Sequence, residues 1–175
     1  MKTVTLIMLL ATLVLVSDLM AAPADKSSRR ENANQPITVK SNELAADNKG
    51  RTAIFTGKVV SKQGDVTIFS DKLIVNYAEN GGEVDKVEAI GNVRIVQTNR
   101  TGISSHALYE SREGRITLTG KPDPKVIQGA DSVTGKVIIY YVDDDKSFVS
   151  GGGDPDARVE AVINQSPKKE KAGGR

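Results

Sequence analysis

The chain has 175 residues, a net charge of +2, one His, and no Cys or Trp; that length allows one domain with tails, and without Cys it can form no disulfide, thiolate metal site, cysteine nucleophile or Cys-linked lipid anchor. The charge is uneven: residues 36–163 hold 16 Lys and Arg against 18 Asp and Glu, while both flanking segments are basic. An acidic body with basic tails is the wrong footprint for nucleic acid, which needs its cations on the folded part.

In chain order, residues 1–24 carry one early cation, Lys2, then an apolar run from Val4 to Val16, then small residues around Asp18. This is the order of a secretory signal peptide, with cleavage expected after Ala24 or after Ala22. The uncharged run is shorter than the roughly 18–20 residues needed to span a bilayer. Residues 25–35 are polar and read as a flexible lead-in, and residues 164–175 read as a disordered basic tail. Between them, residues 36–163 are built from short alternating segments: "AIFTGKVV", "GDVTIFS", "DKLIVNY", "DKVEAIGNVRIV", "GRITLTG" and "TGKVIIYYV". Period-2 alternation of β-branched and aromatic residues predicts strands with one buried face. The turn sequences "DNKG", "ENGG", "REG" and "DDDK" separate them. The fold class is all-β.

A motif recurs about every thirty residues. Gly57, Gly91 and Gly120, with a worn copy at Gly151, each follow an apolar and a small residue. "SNEL", "SDKL", "SHAL" and "ADSV" precede them at matching places. The spacing predicts stacked strand pairs, each contacting mainly its neighbours. Alternation then assigns an inner face, and from it a candidate apolar lining: Val39, Phe55, Val59, Ile68, Leu73, Val75, Val93, Ile95, Ile116, Leu118, Val137 and Ile139. No helix is expected to cover this face, so two curved sheets must close on each other as in a sandwich or jelly roll. Periodicity does not separate a fully closed core from sheets that leave an apolar groove.

Candidate chemistry is sparse. His106 takes the place that Asn42, Asp71 and Asp131 hold in the other copies, which reads as a polar strand-edge position rather than a base. Asp143–Asp145 lack the alternating-oxygen spacing of a calcium loop. "GGGDPD" leads into no helix whose amino terminus could hold phosphate. The expectation is a protein that is not an enzyme and has no metal or cofactor.

Three linked segments resemble a known family: Ala53–Tyr77, Val84–Gln97 and Gly114–Pro122, within a similarity that covers about residues 36–150. They resemble the OstA-like domain family, and within it the LptA group of periplasmic lipopolysaccharide-transport proteins. The resemblance implies a twisted, incompletely closed β-jelly roll whose copies stack head to tail. It implies lipopolysaccharide as cargo, its lipid A acyl chains inside an apolar trough. An LptC-like inner-membrane protein and an LptD-like outer-membrane protein are the implied partners, and the periplasm the implied location. Two rivals remain at this point: an LptC-like component anchored by an uncleaved amino-terminal segment, and a secreted β-solenoid that binds or cleaves polysaccharide. The second is poorly served by seven Phe and Tyr and no Trp.

Overall fold

The computed structural model describes residues 35–79, 82–142, 144–153 and 155–164. The expected signal peptide and nearly all of both tails lie outside them. Twelve strands are described: β1 (Thr38–Lys40), β2 (Glu43–Asp47), β3 (Thr52–Gln63), β4 (Val66–Tyr77), β5 (Val84–Gln97), β6 (Arg100–Glu110), β7 (Arg115–Thr119), β8 (Lys125–Gln128), β9 (Asp131–Thr134), β10 (Val137–Tyr141), β11 (Lys146–Ser150) and β12 (Glu160–Val162). Apart from a 3₁₀ turn at Ser111–Glu113, no helix occurs among the described residues.

All pairings are antiparallel and form one branched sheet. The branching shows how it bends. One half of β3 pairs with β2, the other half with β1. One half of β6 pairs with β7, the other with β8. The four long strands β3–β6 therefore run through two layers. The first layer runs β2-β3-β4-β5-β6-β7-β10-β11; the second runs β1-β3-β4-β5-β6-β8-β9-β12. The layers face each other: a Cβ added to Gly102 of the second would stand 3.1 Å from Leu118 of the first.

The repeated glycines make this bend. The register slips between Thr56 and Val59, between Phe69 and Lys72, and between Ile90 and Val93, which lines the β-bulges up across the sheet. A bulge adds unpaired residues to one strand and so bends it. Gly57 and Lys58 have φ of 81° and 49°, and Gly91 and Asn92 have 77° and 47°. The first residue of each pair has to be Gly for a second reason as well. A Cβ on Gly57 would stand 2.7 Å from the Asn42 side chain, and one on Gly91 2.4 Å from Asp71. Asn42, Asp71 and, over Gly120, Ser105 fill the space that the missing side chains leave. The Gly motif and the Ser-polar motif are thus the two sides of one contact. In two of the three copies the serine beside the polar residue straps the kink locally: the Ser41 hydroxyl donates to Glu43 O (2.8 Å) and that of Ser104 to His106 O (3.0 Å), whereas the buried Ser70 hydroxyl makes no such bond.

In two places the repeat departs from the frame expected from its sequence. In the third copy the structural frame is Ser104–Ala107, one residue earlier than "SHAL", so Ser105 and not His106 faces the glycine. His106 pairs with Thr119 and Ile90, the place that Glu43 and Lys72 take in the earlier copies. The adjacent serines fit both frames, and only strand pairing separates them. Similarly, the "ADSV" copy is not equivalent to the others: Asp131 lies in the β8–β9 hairpin and accepts from the Asn164 N–H. Lys136 faces the worn glycine pair instead, 3.3 Å from where a Cβ on Gly152 would stand.

The inner face supplies a small core of Ala53, Val59, Leu73, Val75, Ala89, Val93, Ala107, Leu118 and Ile138. Three of these are Ala and several other inner residues remain half-buried, so the layers touch near the bend without closing.

Candidate functional site

The space left between the layers is a trough. Its larger cavity, of about 550 Å³, is walled by Ile68, Leu73, Val75, Val84, Val87, Ala89, Ala107 and Tyr109, with Ile37 at one end. A second cavity of about 290 Å³ is walled by Leu118, Val126, Val133, Ile138, Tyr140, Val149, Val162 and Ile163. Val66, Ile95, Gln97 and Ile116 belong to both walls, so the two are successive stretches of one trough. It runs along the strand order, from the β1/β2 end to the β11/β12 end. Its floor is the bulge line, and its rims are the hairpin tips of the two layers.

Of the twelve sequence-based candidates, Ile68, Leu73, Val75, Ile95, Ile116 and Leu118 stand on the trough wall. Val39, Phe55, Val59 and Val93 share the inner face but belong to the packing between the layers; Val59 and Val93 are only 1% exposed. Val137 and Ile139 are misplaced. Ile138 pairs with Leu118 and Tyr140 with Ile116, so those two point inward and Val137 and Ile139 lie on the outer face. An unbroken alternation from Val133 would place Val137 and Ile139 inward, but β9 and β10 are separate strands. The chain breaks at Gly135–Lys136 and the alternation restarts. Wall residues on the short strands β8, β11 and β12, such as Val126, Val149 and Val162, carry almost no alternation signal of their own.

The trough is built for apolar contact. On the outer face, His106 stands with Nε2 2.7 Å from Glu88 Oε1 and Nδ1 3.2 Å from Thr119 Oγ1, remote from the cavities. No cluster of metal-ligating side chains occurs among the described residues. Ion pairs line part of the rims. On the first layer, Arg51 meets Glu79 at 3.4 Å, Arg112 meets Asp85 at 3.0 Å, and Arg115 meets Glu110 at 2.6 Å and Glu113 at 2.8 Å. The hydrogen bond to Glu110, and the charges of Glu110 and Glu113, raise the Arg115 pKa above its already high ordinary value.

The family described as "LptA/(LptD N-terminal domain) LPS transport protein" matches residues 38–146, most of the described fold. The chain belongs to this LPS-transport family. Its relatives include the lipopolysaccharide export system protein LptA of Escherichia coli K12, 30% identical over 168 residues that cover 91% of this chain and 87% of the relative. The LptA of Haemophilus influenzae is 28% identical over 174 residues, 95% of each chain. A shorter match, 37% over 71 residues, is to the LPS-assembly protein LptD of Shewanella oneidensis, covering 41% of this chain and 9% of that one. Among solved structures, LptH of Pseudomonas aeruginosa, described as the LptA-homologous periplasmic component of a lipopolysaccharide transport device, matches with a TM-score of 0.67. It is 22% identical and the match covers 77% of this chain and 99% of that one; at that identity the likeness establishes the fold. The OstA-like resemblance and the incompletely closed jelly roll are both borne out. The roughly thirty-residue repeat seen in the sequence forms one bent, branched sheet of twelve described strands rather than separate stacked blocks.

Proposed function

We propose that this protein carries lipopolysaccharide through the periplasm, holding the lipid A acyl chains in the trough while the sugars stay outside, as one link of a bridge between the inner and outer membranes. The observation that carries this reading is the continuous apolar trough between layers that do not close. Each methylene exposed to water costs on the order of 0.8 kcal/mol, so a many-chained lipid needs a shielded path. Aliphatic walls hold chains by burial and dispersion without directional bonds, which lets cargo slide. In this reading no group on the protein acts as a catalyst.

The ends suit strand addition. β2 and β11 bound the first layer, and they expose Leu44 (60%) and Phe148 (59%). Further copies of the chain stacked head to tail, an LptC-like protein on the inner-membrane side and an LptD-like protein on the outer-membrane side are the partners this reading calls for. A signal peptide over residues 1–24 delivers the chain to the periplasm.

The test is equilibrium binding of lipopolysaccharide to the purified mature chain, followed by displacement of a fluorescent acyl probe. Ile116→Asp puts a carboxylate where both cavities meet. Burying it beside acyl chains is strongly unfavourable, so affinity should fall at least about tenfold, while Lys72→Asp on the outer face leaves it unchanged. Equal affinity in all three proteins would refute the trough as the binding site.

A further inference from the structure

Among the charged side chains along the trough, one guanidinium stands out. Arg100 opens β6 at the tip of the β5–β6 hairpin, on the rim of the second layer, and forms part of the wall of the smaller cavity. Its partner lies across the mouth. Asp145, at the tip of the β10–β11 hairpin on the rim of the first layer, has Oδ1 3.6 Å from Arg100 Nη1. This pair joins the two rims over an apolar cavity.

The pair is suited to exchange. Both side chains are about a third exposed, at 33% and 39%, and at 3.6 Å such a pair contributes little to stability. Each member also has another hold. The Arg100 guanidinium lies 5.1 Å from the centre of the Tyr140 ring, and its Nη2 is 3.5 Å from Gln128 Oε1. The Tyr140 hydroxyl donates to Asp145 Oδ1 at 2.9 Å. If the ion pair parts, Arg100 stays at the mouth, held by a ring and an amide that do not neutralise it. A cation fixed at the edge of an apolar cavity is complementary to an amphiphile whose anionic head adjoins its acyl chains. A phosphate brings more charge than a carboxylate and suits the guanidinium fork.

We infer that Arg100 is a phosphate contact for the lipid head at the trough mouth, and that the phosphate displaces Asp145 and so releases one rim from the other. The inference rests on the proposed lipopolysaccharide reading and adds to it a head-group site and a latch.

The test uses the full mature chain with three probes: diphosphorylated lipid A, the same lipid without phosphates, and inorganic phosphate. Because the chain has no Cys, Asn99→Cys and Asp144→Cys can carry spin labels that report the rim-to-rim distance. Diphosphorylated lipid A should lengthen that distance more than the dephosphorylated lipid does, and inorganic phosphate should not lengthen it. Arg100→Gln should weaken diphosphorylated lipid A about tenfold, the size of one charged hydrogen bond, and leave the dephosphorylated lipid unchanged. Asp145→Asn, which removes the competing anion, should tighten only the phosphorylated lipid. Equal weakening of both lipids by Arg100→Gln, or weaker phosphorylated-lipid binding by Asp145→Asn, would overturn the inference, as would opening by inorganic phosphate alone. If neither lipid bound the wild-type chain, it is the carrier reading itself that would fall.

Discussion

Gly91 shows how much one position is asked to do. It holds φ of +77°, and a Cβ there would stand 2.4 Å from the Asp71 carboxylate, which itself accepts from Asn92 Nδ2 at 2.8 Å. Gly82 has nearly the same φ, +83°, with nothing within 4 Å of an added Cβ. The two separate conformational strain from steric conflict. Gly82→Ala should cost about 1–2 kcal/mol, the left-handed penalty alone. Gly91→Ala should cost more by at least about 1 kcal/mol, because Asp71 must move and its hydrogen bond is lost. Denaturant unfolding of the two variants checks this, and equal costs would show that the close packing across the bulge contributes nothing. The sequence displayed these glycines openly through their repetition. It did not display that the Asn, Asp or Ser half of the motif is the surface each glycine rests against, since those residues lie on the neighbouring strand.

At the scale of elements, legibility followed alternation. In β3 and β5 the bulge inserts a pair of residues, Gly57–Lys58 and Gly91–Asn92, so parity survives the bend and Phe55, Val59, Val93 and Ile95 fall on the inner face as expected. In β4 parity changes across Ser70 and Asp71, so Ile68 and Leu73 share the inner face despite their odd spacing. β10 offered no such guide. "VIIYY" is apolar at every position, and its facing is set by pairing with β7 rather than by its own pattern. The facing of β10 has a direct check. Ile138 is 2% exposed within the core, so Ile138→Ala should destabilise by about 2–5 kcal/mol. Ile139 pairs with Thr117 and Phe148 on the outer face, so Ile139→Ala should cost about 1 kcal/mol or less. The reverse order in thermal or denaturant melts would place Ile139 inward and Ile138 outward.

For the whole molecule, the all-β class and the repeat were readable because the strands are long and strongly patterned. The trough was not, because periodicity reports which face is inward and never how far apart two inward faces stand. That distance is set by the line of bulges and by the small side chains Ala53, Ala89 and Ala107 on the first layer. In the proposed function, lipid acyl chains occupy the gap so formed. Site-specific photo-crosslinking in the exported protein measures this most directly, with a photoreactive residue at Ile95, Ile116 or Leu118 inside and at Lys72 or Ile139 outside. Lipopolysaccharide should be captured from the three inner positions and from neither of the two outer ones. Capture from Ile139 equal to that from Leu118, or capture from none of the five, would contradict the proposed function.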